Sequence, residues 1–113
     1  KNFFINDVLK KININKKKIY FENINTFRDF LSMSDINSAL YLMIKLQLIN
    51  DFNICSGKKI KLKDIIIYLS KMKQNKKDII FDNKSSKDLI GSNIKLKKKG
   101  WKIKYKNFFN QLN

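Results

Sequence analysis

The chain has 113 residues, 43% of them hydrophobic, and a formal net charge of +16. This length supports one domain, 1–113, with a modest core, and the apolar content argues against global disorder. The chain has no histidine and a single cysteine, Cys55, which excludes histidine-based triads, the usual zinc sites and an internal disulfide framework.

In chain order, "FFINDVLKK" (3–11) places apolar residues at 4, 5, 8, 9 and 12, which is helical spacing. "KKIYFE" (17–22) alternates and is rich in β formers, so a short strand is expected. Residues 23–29 are polar and irregular. The strongest helix signal is 34–48, capped by Ser34 or Asp35, with an apolar face of Ile36, Ala39, Leu40, Met43, Ile44 and Leu46 to Leu48. Met33 and Met43 read as core filler.

"DFNI" (51–54) reads as a strand that stops at the Ser56-Gly57 turn. Apolar positions 62, 65, 66, 69 and 72 predict a helix over 61–72. "DIIF" (78–81) is a further strand, followed by the loop "DNKSSKD". A short helix is expected over 92–98, stopped by Gly100, with Trp101 packing on the core. A last helix, 105–112, turns Phe108, Phe109 and Leu112 inward. No repeat or linker is visible. The fold class is α+β, helix-dominated, with strands short enough that some would pair with strands outside this chain.

The charge invites a nucleic-acid reading. Lys, Asn and Ile, all with A/T-rich codons, fill about half the chain. Such a bias spreads lysine onto faces with no anionic partner. Nucleic-acid readers instead cluster arginine and aromatics. Of the 25 basic residues only Arg28 is an arginine. A small lysine-rich nucleic-acid-binding module is therefore the alternative, and no specific nucleic acid is expected. No stretch has the roughly 20 apolar residues of a membrane span, no secretory signal is visible, and a reducing cytoplasm fits the lone thiol. Cys55 reads as a small buried residue. Asp35 reads as a cap rather than an acid catalyst, and Asn53 as a loop cap. The start at Lys1 suggests a piece of a longer protein.

The order of features beginning at Arg28-Asp29-Phe30 resembles the C-terminal part of the NAD-dependent epimerase/dehydratase family, extended short-chain dehydrogenases acting on nucleotide sugars. It continues through Asp35 at a helix start, Asn53 to Gly57, the strand ending at Asp82, and Lys95-Leu96 with Gly100-Trp101. The stretch "DLIGSNIKLKKKGW" looks most like the GDP-mannose dehydratase and GDP-6-deoxy-4-keto-mannose reductase branches. A degenerate, non-catalytic relative would show the same order.

The resemblance implies a C-terminal substrate-binding portion whose Rossmann part lies outside the chain. It implies a nucleotide-sugar substrate, NAD or NADP bound by that other part, and a homodimeric complete enzyme. It assigns Arg28 to the substrate diphosphate. A guanidinium offers a planar fork for two phosphate oxygens, and lysine does not. The family's second arginine is missing after Asp82, where only Lys84 and Lys87 could supply charge. Before Leu62, where the family often has a serine cap, this chain has Lys61, which cannot cap. No glycine-rich cofactor fingerprint is found. The Tyr-x-x-x-Lys catalytic pair is read as absent too, since in Tyr68-Leu69-Ser70-Lys71 the lysine comes one place early. No catalytic, cofactor-binding or metal residue is assigned.

Overall fold

The computed structural model describes residues 3–112. The order is α1 (Phe3–Asn13), β1 (Lys18–Phe21), β2 (Phe27–Arg28), α2 (Met33–Lys45), β3 (Ile60–Lys61), α3 (Leu62–Met72), β4 (Asp78–Phe81), α4 (Ile94–Lys98) and a closing 3-10 turn, Phe108–Gln111. Helices dominate and the strands are two to four residues long, so the α+β expectation holds. The chain divides into two compact units interleaved in sequence. The first holds the residues up to Phe27 and Ile60–Asp88; the second holds Arg28–Lys59 and Leu89–Leu112.

In the first unit β1 and β4 pair in parallel, Lys18 with Asp78 through Phe21 with Phe81. Helix α1 packs against α3. Val8, Ile12, Ile19, Phe21, Ile24, Ile65, Ile66 and Leu69 are buried, at the helical and alternating spacings that the sequence shows. Lys61 indeed makes no side-chain cap. The orphan amides of Leu62 and Lys63 instead donate to the carbonyls of Thr26 and Ile24, each at 3.0 Å. Backbone carbonyls thus satisfy donors that a serine would otherwise serve. The loop after β4 is pinned through side chains. Asp82 Oδ1 accepts from the amides of Asn23 (3.0 Å) and Lys84 (3.2 Å). Buried Thr26 Oγ1 accepts from Ser86 N (2.7 Å), and Asp88 Oδ1 from Phe27 N (2.9 Å).

In the second unit Ala39, Leu96 and Trp101 form the buried centre. Leu31, Leu42, Met43, Leu48, Phe52, Ile54 and Ile103 pack on it. The indole Nε1 of Trp101 donates to Ser38 Oγ at 3.0 Å, so the Gly100-Trp101 pair ends a helix and fills the core as expected. Gly100, at φ +100°, is the left-handed residue. Its amide bonds Lys97 O and that of Trp101 bonds Leu96 O, a Schellman ending. Phe30 and Phe108 stack with ring centroids 4.8 Å apart.

Several expectations are corrected. Helix α2 is capped by Ser32, not Ser34 or Asp35: Ser32 Oγ accepts from Asp35 N at 3.0 Å and donates to Asp35 Oδ2 at 2.8 Å. Met33 is exposed rather than core, as are Leu40, Ile44 and Leu46 of the predicted apolar face. Residues 51–54 form no strand, and β2 lies inside the stretch read as irregular. Helix α4 begins at Ile94, two residues later than expected. The last helix shrinks to a 3-10 turn capped by Asn107, whose Oδ1 accepts from Phe109 N at 3.1 Å. The strands pair with one another, β1 with β4 and β2 with β3.

Candidate functional site

Arg28 is the last residue of β2 and is half-buried. A parallel bridge to Leu89 fixes its backbone, and the next amide, Asp29 N, donates to Leu89 O at 3.1 Å. Asp29 then turns its carboxylate onto the Ser56-Gly57 turn. Its Oδ1 accepts from Ser56 N (2.8 Å) and Ser56 Oγ (2.6 Å), and its Oδ2 from Gly57 N (2.8 Å) and Gly91 N (3.4 Å). Gly57, at φ +73°, supplies the expected left-handed turn. Asn93, 5% exposed, donates through Nδ2 to the carbonyls of Cys55 (2.9 Å) and Ser56 (3.1 Å). Two polar side chains thereby lock one turn beside Arg28. Charge-assisted bonds to backbone amides are strong and directional, so the segment carrying the guanidinium is held in place.

Sequence reasoning missed this scaffold. Asp29 was visible only as part of the Arg-Asp-Phe segment, and Asn93 was not singled out. Asn53, expected to cap a loop, is exposed, and Asn93 holds the turn instead. Asp35 is buried at 1% exposure. Its Oδ1 accepts from Lys104 N (2.8 Å) and its Oδ2 from Tyr105 N (3.4 Å). It therefore ties the C-terminal segment to α2, a structural role for a carboxylate.

Cys55 is half-buried, and burial first, then the Asp29 carboxylate, pushes its thiol up. A nucleophilic cysteine needs the opposite shift, which agrees with the inert reading. Gly91 lies tightly against it: a Cβ on Gly91 would come within 2.5 Å of Cys55 Sγ and 2.9 Å of Cys55 Cβ. Each of the three glycines has a local role. Gly57 closes the turn, Gly91 abuts the cysteine, and Gly100 ends α4; a phosphate-binding fingerprint instead opens a helix directly after a strand.

Lys84 and Lys87 are exposed on the pinned loop of the first unit, whereas Arg28 belongs to the second. The three predicted cations are therefore not gathered within either unit. The Tyr-x-x-x-Lys spacing, read as absent, does occur once, at Tyr41 and Lys45 on α2. Both are exposed. Among the described residues no cluster of three or more potential metal ligands occurs, and no helix is long and apolar enough to cross a membrane.

No family model and no curated protein sequence matches this chain. Solved structures do. RMD from Pseudomonas aeruginosa, complexed with NADPH, is similar at 23% identity and a TM-score of 0.74, over 96% of this chain and 36% of that one. A UDP-glucose 4-epimerase is similar at 21% identity and 0.76, over 97% and 38%. A GDP-mannoheptose C4 reductase from Campylobacter jejuni, with NADP bound, is similar at 17% identity and 0.73, over 89% and 40%. This chain spans little more than a third of the length of these proteins. Its fold is that of a portion of nucleotide-sugar epimerases and reductases, the group that its motif order resembles.

Proposed function

We propose that this chain is the C-terminal, nucleotide-sugar-binding portion of an NAD(P)-dependent epimerase, dehydratase or reductase. The observation that carries the reading is Arg28, the sole arginine, set on a segment locked by Asp29 in a fold that such enzymes share. Arg28 would hold the substrate diphosphate with its planar fork. Lys84 and Lys87, the other two cations that the resemblance assigns to the substrate, would add unforked charge. NAD or NADP and the proton-transferring groups would come from the remaining part of a longer polypeptide, a cytoplasmic homodimer. The GDP-linked branches are the first substrates to test.

The experiment is a titration of the native full-length protein with GDP-mannose and UDP-glucose, and separately with a single-stranded oligonucleotide, at low and high salt. Saturable sugar-nucleotide binding that Arg28→Ala abolishes supports the proposal. The lysine-rich nucleic-acid module predicts oligonucleotide binding that falls steeply with salt and ignores Arg28→Ala. That pattern, without sugar-nucleotide binding, overturns it.

A further inference from the structure

The first unit gathers lysine at one end. Strands β1 and β4 run parallel and begin level, Lys18 beside Asp78, and α1 packs on α3. The α1–β1 and α3–β4 connections therefore turn at the same end of the unit. Asp78 N donates to Lys17 O at 3.1 Å, and Lys77 Nζ donates to Ile12 O, so the two connections are tied together. Residues 16–18 and 71–77, far apart in sequence, become neighbours.

Seven of those ten residues are lysine, against seventeen of the other 103. A codon bias raises lysine everywhere; it gives no reason for two distant stretches to be this dense and to meet in the fold. Lys16, Lys17, Lys18, Lys71, Lys73 and Lys76 are exposed. A cation in a helix's last turn answers the helix dipole, which accounts for Lys71 in α3. Lys16 to Lys18 and Lys76 lie beyond either helix, and one carboxylate, Asp78, borders them. Ile14, 44% exposed, stands at the turn between α1 and Lys16. The loop of Lys84 and Lys87 follows the opposite end of β4, so the cluster is separate from the residues assigned to substrate.

We propose that this end of the first unit is a peripheral docking surface for an anionic lipid bilayer. Charge complementarity carries it: clustered lysines are drawn to acidic headgroups, each adding to the attraction. Cations at element ends that stop at one level suit a plane of phosphates, and an aliphatic side chain among them can enter the headgroup layer. Nucleic acid is the weaker fit, since the turns 13–17 and 73–77 hold neither arginine nor an aromatic ring on which a base could stack. Among the described residues no helix is long and apolar enough to cross a membrane, so the contact is made by this surface and not by a span. Docking here is independent of sugar-nucleotide binding.

The test is flotation of the native full-length protein with vesicles of phosphatidylcholine alone and of phosphatidylcholine with phosphatidylglycerol, at low and high salt, beside a titration with a single-stranded oligonucleotide. The protein should float only with the anionic vesicles, and high salt should release it. The triple variant Lys16→Gln, Lys17→Gln, Lys18→Gln should lower partitioning about 100-fold, and so should Lys71→Gln, Lys73→Gln, Lys76→Gln. Lys45→Gln, Lys97→Gln, Lys102→Gln, an equal charge loss in the second unit, should lower it less than about 3-fold. Ile14→Ser should weaken vesicle binding about 5-fold and leave oligonucleotide binding unchanged. The substituted lysines are exposed, and an unchanged Tm checks that each variant folds. Failure of the unmodified protein to float with anionic vesicles overturns the proposal without any variant. Equal losses from all three triples overturn it in favour of diffuse charge. A neutral Ile14→Ser, with oligonucleotide binding that the first two triples abolish, overturns it in favour of nucleic acid.

Discussion

At the scale of single residues, the second unit depends on a few atoms whose partners are far away in sequence. Asp29 reaches 27 and 28 residues ahead to Ser56 and Gly57, and 62 to Gly91. Asp29→Ala should cost about 3 kcal/mol, because several donors lose a charged acceptor at once; urea denaturation checks this, and Asp29→Asn should cost less. Gly91→Ala forces a methyl into Cys55 and should cost about 1–3 kcal/mol. Cys55→Ala should recover part of that loss, since the sulfur is one of the two clashing atoms, and a double-mutant cycle measures the coupling. Because its pKa is raised, the thiol is protonated at neutral pH and gains thiolate only above the ordinary range. Iodoacetamide should therefore label Cys55 slowly at pH 7, with a half-maximal rate above about pH 8.5, the value of a free thiol. A half-maximum below that would contradict the assigned environment.

At the scale of elements, three helices end the same way without three glycines. After α2, Gln47 takes φ +50°, with its amide on Ile44 O and that of Leu48 on Met43 O; after α3, Gln74 takes φ +51°, with its amide on Lys71 O and that of Asn75 on Ser70 O. Glycine fills this position without strain, and an L side chain there costs on the order of 1 kcal/mol. Gln74→Gly should thus stabilise the chain by about 0.5–1 kcal/mol, read as a higher Tm. The helices were legible in the sequence because α1 and α3 follow a 3.6-residue period and bury what that period marks. β1 and β4 were legible because β formers run between polar stretches. What was not legible depends on distant partners. Residues 51–54 have strand composition but no ladder in this chain, and two-residue β2 and β3 carry no periodic signal. The outer face of α2 looked like core because periodicity marks apolar positions without saying what covers them. Arg28 stood out by composition, whereas the Asp29 and Asn93 clamp appears only once residues 55–57 and 91 are folded beside them.

At the scale of the whole molecule, the net charge of +16 and the one guanidinium point to different partners. Diffuse lysine charge gives weak, salt-sensitive affinity for any polyanion. Under the proposed function, a single forked cation on a fixed segment would give selectivity for a diphosphate. The most direct discriminating measurement is the dissociation constant of the full-length protein for a GDP-sugar, wild type against Arg28→Lys, which keeps the charge and removes only the fork. The account predicts that affinity falls about 10-fold or more, as a lost charge-assisted hydrogen bond implies. Equal affinity in the two proteins would contradict it.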